Sequence, residues 1–202
     1  ISSGSCACKE AQLRGLEIAK AWGETSDAVQ RKKGQELLLK ISSGSLACKE
    51  AQLRGLEIAK AWAETSDAED AEQREKGQEL LLKISSGSHA CMEAQLLGLE
   101  IAKAWGESDD AEQREKGQEL LLKIASGSQA CKEAQLRGIE IAKAWAETSD
   151  AVQREKGYEM LLNFKSRTTS AKGALKKLEA LASEWVRSAD PERKSKGETL
   201  MK

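Results

Sequence analysis

The sequence predicts an all-α chain: an α-solenoid of five ~40-residue helix-turn-helix repeats, ten helices in all. Three observations predict it. The stretch Ala-Cys-Lys-Glu-Ala-Gln-Leu-Arg-Gly-Leu-Glu-Ile-Ala-Lys-Ala-Trp at 47–62 returns almost letter for letter at 7–22, 90–105 and 130–145, with a worn copy at 171–185. Ala, Leu, Glu, Lys, Gln and Arg dominate, and these are strong helix formers; there is one proline, and aromatic residues make up only 3%. The apolar residues of each copy recur at the helical spacing rather than alternating.

The repeats run 1–40, 41–83, 84–123, 124–163 and 164–202, the last opening at Phe164 where the others have Ile. Together they form a single array over 1–202. Helix A of each repeat is expected to begin after Ser-Gly-Ser, with Ser5, Ser45, Ser88 and Ser128 as N-caps, and to end at the tryptophan. Helix B is expected to begin at Asp27, Asp70, Asp110 and Asp150, each followed three residues later by Gln30, Gln73, Gln113 or Gln153. That spacing predicts a capping box, in which Asp accepts from the third amide and Gln reaches back. The fifth repeat starts helix B with Asp190-Pro191, and proline suits the first helical position. Gly4, Gly44, Gly87 and Gly127 are placed to close the preceding helices in a left-handed conformation. The second repeat is three residues longer within 66–70, which predicts a helix B that starts a turn early.

On helix A of the second repeat, Ala47, Cys48, Ala51, Gly55, Ile58, Ala59 and Trp62 share an arc of about 120°. It is a face of small residues, read as a packing seam. Gly77, Leu80, Leu81 and Ile84 form the matching stripe of helix B, while Glu79 and Lys83 point away as an i,i+4 pair. One hairpin cannot bury both stripes, so neighbours must stack. The fifth repeat puts Leu178 in place of Gly, Lys176 in place of Leu and Arg167-Thr168 in place of Gly-Ser, and 164–202 is read as a C-terminal cap.

The layout resembles the α-solenoid superfamily at large: tetratricopeptide, Sel1-like, HEAT and armadillo arrays. The resemblance is architectural and covers the whole chain. The period exceeds the 34 residues of the tetratricopeptide unit and approaches HEAT length, and Trp22 and its equivalents end helix A rather than open it. No motif assigns a named family. The class implies binding along a concave face, most often of a protein or peptide.

Composition narrows the function. With 32 Lys+Arg against 33 Asp+Glu, the chain lacks the basic excess usual in nucleic-acid binders. No window resembles a signal peptide or a membrane span. The chain opens at Ile1, inside a repeat, and reads as part of a longer array. Cys8, Cys48, Cys91 and Cys131 recur at one repeat position, with Cys6 extra. Stacked helices stand about 8–10 Å apart, beyond disulfide reach, so free thiols packing as small apolar residues are expected. That expectation favours a reducing, cytoplasmic compartment. The single histidine and the isolated cysteines offer no catalytic pair, Cys6-x-Cys8 is not metal spacing, and no phosphate loop is present. No enzyme, cofactor or metal is therefore expected. The tryptophan series would suit base stacking but lies on the packing arc.

Against such uniform copies the departures carry the information. The residue after the Ser cap is Cys6, Leu46, His89, Gln129 and Thr169 in the five repeats. Lys49 and Arg54 become Met92 and Leu97 in the third repeat alone, beside Leu96. These sites lie opposite the small-residue face. They predict a partner-binding stripe of Leu46, His89, Met92, Leu96, Leu97 and Gln129 for a protein or peptide. The alternatives are a nucleic-acid array read through the variable residues, or an array with no ligand on this stretch, its leucines packing under neighbouring helices.

Overall fold

The computed structural model describes residues 3–65, 71–167 and 172–202. They form ten α-helices, two per repeat and no strand: α1 (Ser3–Gly23), α2 (Ala28–Ser43), α3 (Lys49–Ala63), α4 (Ala71–Ser86), α5 (Met92–Gly106), α6 (Ala111–Ser126), α7 (Lys132–Ala146), α8 (Ala151–Arg167), α9 (Lys172–Val186) and α10 (Pro191–Met201). This is the all-α helix-turn-helix repeat fold expected of an α-solenoid. The chain divides into two compact halves, 1–101 and 102–202. In the first, α1 packs on α2 and α3 on α4. Successive hairpins stack A on A (α1 on α3) and B on B (α2 on α4), with α2 also against α3. The second half repeats the scheme through α6, α7, α8, α9 and α10.

Each hairpin is closed by a glycine. A Cβ on Gly77 would meet Ala63 N at 2.4 Å and Ala59 O at 2.7 Å, so α4 crosses α3 backbone to backbone. Gly34, Gly117 and Gly157 make the same crossing on α1, α5 and α7. A helical glycine costs about 1 kcal/mol against alanine. Here it brings the two apolar stripes into contact. Leu80, Leu81 and Ile84 of α4 are buried together with Ala51, Gly55, Ile58, Ala59 and Trp62 of α3, as their spacing predicts.

The tryptophans are core residues. Trp62 crosses Gly23 so closely that a Cβ there would lie 2.2 Å from the ring, and Trp145 covers Gly106 in the same way. Trp145 Nε1 donates to Glu107 Oε1 at 3.2 Å, and Trp185 Nε1 to Glu147 Oε1 at 3.3 Å. The burial of Trp62, Trp105, Trp145 and Trp185 leaves those four no face for a stacked base. Trp22 and Ile18 differ: they are 36% and 49% exposed, against 2% for both Trp62 and Ile58, because no described helix pair stacks ahead of α1.

Two expectations at the junctions are corrected. Helix A does not begin at the serine. Cys48 and Cys131 are the N-caps of α3 and α7, and Ser45, Ser88 and Ser128 lie in the turns before α3, α5 and α7, while Ser5 falls inside α1. Gly44 O accepts from Ala47 N at 3.0 Å, and Gly87 with Ala90 and Gly127 with Ala130 do the same, so a β-turn separates the helices. Nor do the glycines turn left-handed: no described residue has a positive φ, and Gly44 sits at φ −69°, ψ 160°. Glycine is required there because a Cβ would lie 2.8 Å from Lys40 O, the carbonyl one helical turn back.

The cysteines are free, as expected, among those described, but Cys8 is exposed and Cys48, Cys91 and Cys131 are half-buried. They are not core packing. Cys131 Sγ accepts from Ala134 N at 3.4 Å and so serves as a cap. Asp27, Asp110 and Asp190 do cap helix B: Asp27 Oδ1 accepts from Val29 N and Gln30 N, Asp110 from Gln113 N, and Asp190 from Glu192 N and Arg193 N. The capping box is only half formed. The Asp110 amide donates to Ser108 Oγ at 3.2 Å, and Gln113 Oε1 is occupied by the same hydroxyl. The readings that placed a cap at Asp70, an early helix start within 66–70 and a variable residue at Thr169, and those resting on the side chains of Ser5 and Cys6, lie outside the described residues and side chains.

Candidate interaction surface

Leu46, His89 and Gln129 prove to be turn residues, and the backbone at the first two is held from the preceding repeat. Gln12 of α1 donates through Nε2 to Leu46 O at 2.8 Å and accepts Cys48 N at Oε1 at 2.9 Å. Gln52 of α3 treats His89 O (2.7 Å) and Cys91 N (2.8 Å) identically. A planar amide satisfies both a carbonyl and an amide that no helix reaches. The side chains at the two clamped residues meanwhile project outward: Leu46 is 85% exposed and His89 is exposed, as is Gln129 in its equivalent turn. Gln12 and Gln52 thus hold two different residues, Leu46 and His89, whereas Gln135 donates to Ala130 O of its own repeat at 3.2 Å. The sequence showed the variation but not the clamp, since glutamine at a helical position reads as neutral. Its signal was the return of glutamine at the same repeat position, Gln12 and Gln52.

Beside these turns the A helices are joined by ion pairs. Lys9 Nζ lies 2.6 Å from Glu50 Oε1, and Lys49 Nζ lies 2.7 Å from Glu93 Oε1. One turn further along, Arg54 of α3 bridges Glu17 of α1 at 2.8 Å and Glu57 of its own helix at 3.0 Å. In the second half, Lys177 of α9 reaches Glu140 of α7 at 2.5 Å. The hydrogen bond from Lys9 holds the Glu50 carboxyl below the ordinary carboxylate range. Lys49 does the same to Glu93, and Lys177 to Glu140.

The third repeat breaks both series. Met92 stands where Lys9, Lys49 and Lys132 stand, and Leu97 where Arg14, Arg54, Arg137 and Lys177 stand. Met92, the first residue of α5, is 42% exposed, while Leu96 and Leu97 are half-buried along the same helix. The predicted stripe is therefore two features rather than one. Leu46, His89 and Gln129 occupy equivalent turns, and Met92, Leu96 and Leu97 lie on one helix.

Three clefts among the described residues are shallow. One of 130 Å³ is lined by Arg154, Trp185 and Asp190 among others. A second of 170 Å³ lies between α2 and α4 beside Lys32, Leu39, Lys76 and Leu80. A third of 300 Å³ lies at Trp22, Asp27 and Lys33. Sites for small molecules usually occupy about 300–1,000 Å³ and bury most of the ligand. Among the described residues no three His, Cys, Asp or Glu side chains gather as a metal would require, and none of the helices is long and apolar enough to cross a membrane.

No protein-family model matches the sequence, and no curated protein does. Solved structures do show similarity. The crystal structure of an engineered protein is similar over 90% of this chain and 76% of its own, at 22% identity and a TM-score of 0.44. A second engineered protein is similar over 93% of this chain and 47% of its own, at 21% identity and a TM-score of 0.45. The crystal structure of an archaeal HEAT-like repeats protein from Thermococcus onnurineus NA1 is similar over 99% of this chain and 92% of its own, at 13% identity and a TM-score of 0.35.

Proposed function

We propose that the chain is a non-enzymatic helical-repeat scaffold. It binds a protein or peptide along the A helices and the turns that lead into them. The observation that carries this reading is the Gln clamp. It fixes the backbone at Leu46 and His89 while their side chains point to solvent and differ from copy to copy. Such an arrangement changes specificity without disturbing the core, as recognition loops on a rigid frame do. Nucleic acid is the weaker reading. Lys9, Lys49, Arg54 and Lys177 on this face are each engaged by a carboxylate, whereas phosphate binding draws on unpaired cations.

Selection of a random twelve-residue peptide library on the whole chain tests the reading. Selected peptides are expected to bind about tenfold more weakly to a Leu46→Ser, His89→Ser, Gln129→Ser variant. Peptides that bind this variant undiminished, or single-stranded RNA that binds with a steep salt dependence, would contradict it.

A further inference from the structure

The A helices carry a charge pattern that only α5 violates. α3 holds two lysines and an arginine against two glutamates, and α7 the same. Among the charged residues of α1 are Lys9, Arg14 and Lys20 against Glu10 and Glu17, and α9 holds three lysines against two glutamates. Each has one positive charge in excess. α5 holds Glu93, Glu100 and Lys103 and has one negative charge in excess. The two missing cations are the ones that elsewhere reach across to the neighbouring A helix, and both are replaced by apolar residues. The effect on Glu57 follows from the equivalent carboxylates. Glu17 receives Arg54 from the next A helix, and Glu140 receives Lys177 from the next A helix as well as Arg137 from its own. Glu57 occupies the same repeat position on α3. On the next A helix Leu97 takes the place of Arg54 and Lys177, and among the described residues the ion pair at Glu57 is with Arg54 at 3.0 Å, the Glu57 side chain being 60% exposed.

We infer that Met92, Leu96 and Leu97 of α5, beside Glu57 of α3, dock a peptide segment in which a lysine or arginine is flanked by apolar residues. The partner's cation completes at Glu57 the ion pair that the array itself supplies at Glu17 and Glu140. The partner's apolar residues cover Met92 and the two leucines. Charge complementarity selects this occupant. An acidic segment would face an acidic helix, and a wholly apolar one would leave the carboxylate covered and without its second cation, a costly arrangement. The inference rests on the peptide-binding reading above and specifies the ligand class for one part of that face.

The peptide library distinguishes the two. It is selected on the whole chain and counter-selected on Met92→Lys and on Leu97→Arg, which restore the residues that other copies carry at these places and so preserve the fold. Peptides lost on counter-selection are expected to be rich in Lys or Arg next to Leu, Ile, Met or Phe. A synthetic example titrated by fluorescence polarisation is expected to bind Leu97→Arg about tenfold more weakly. It should also bind Glu57→Gln several-fold more weakly, with the salt dependence reduced. Recovery of acidic or uncharged peptides would overturn the inference. So would peptides that bind Leu97→Arg and Glu57→Gln unchanged while losing affinity for the turn variant, and that result leaves the broader reading standing. Failure of any peptide to bind would overturn both.

Discussion

The side-chain amide of Gln52 holds His89 by its backbone alone: Nε2 meets His89 O at 2.7 Å and Oε1 accepts Cys91 N at 2.8 Å. Both partners are main-chain groups at a helix entrance, where the helix itself offers nothing. Gln52 is 2% exposed, so its removal leaves them part-buried and unpaired. Gln52→Ala is expected to destabilise the chain by about 1–3 kcal/mol, read as a lower urea midpoint. Gln12→Ala removes the same two bonds at a more exposed place and is expected to cost less. His89→Ser leaves the clamp intact and is expected to leave the midpoint unchanged.

Gly77 opposes two ordinary expectations. Helix propensity favours Gly77→Ala by about 1 kcal/mol, yet its Cβ would stand 2.4 Å from a backbone nitrogen, which cannot step aside. The clash wins, and the variant is expected to lose about 1–3 kcal/mol in thermal or urea unfolding. Gly173→Ala is the control. Its Cβ meets only the flexible end of Lys132 at 3.3 Å, so propensity decides and stability should rise by about 0.5–1 kcal/mol.

The ion pairs between A helices set a pH window. Glu50 and Glu93 titrate below their ordinary 4.5 because Lys9 and Lys49 donate to them, and Lys49 titrates above its ordinary 10.5 because of Glu93. A depressed carboxylate contributes stability above its unfolded value and loses it as pH falls through its folded value. A raised lysine contributes below its unfolded value and loses it as pH climbs through its folded value. The urea midpoint is therefore expected to be flat between about pH 5 and pH 10 as far as these pairs decide it, and to fall on either side. These groups are exposed, so the contribution is small and is expected to shrink in 1 M salt, where the screening length is about 3 Å.

Trp22 is more exposed than Trp62, Trp105, Trp145 or Trp185. Trp62 lies against Gly23 of the preceding repeat, and Trp145 against Gly106 and Glu107. A copy of residues 124–163 fused ahead of Ile1 supplies Ala and Glu in those two places. Trp22 emission is expected to shift to the blue and its acrylamide quenching to fall, with a higher melting temperature. Unchanged quenching would show that the A-face seam is not transferable between copies.

Much of the scaffold was legible in the sequence because repetition reports on burial. The Ala-Gly-Ile-Ala-Trp face and the Leu-Leu-Ile face recur because each must fit its neighbour. The junction was misread because Ser-Gly-Ser has the composition of a helix cap. The competing β-turn uses the same residues, and the cap role falls to cysteine, a residue with weak capping preference. The glycine there answers a contact with Lys40 O, which no local propensity encodes. The partner-binding stripe was legible only as a set of variable letters. That Leu46 and His89 sit on clamped turns, while Met92 and Leu97 interrupt ion pairs between helices, depends on contacts made 34 to 44 residues apart.

Amide chemical-shift mapping of the whole chain with a selected peptide addresses the central claim most directly. The account predicts that perturbed amides cluster in the turns at 44–48, 87–91 and 127–131 and along α3, α5 and α7, with α2, α4, α6 and α8 unaffected. Perturbations concentrated on those B helices, with the turns silent, would contradict it.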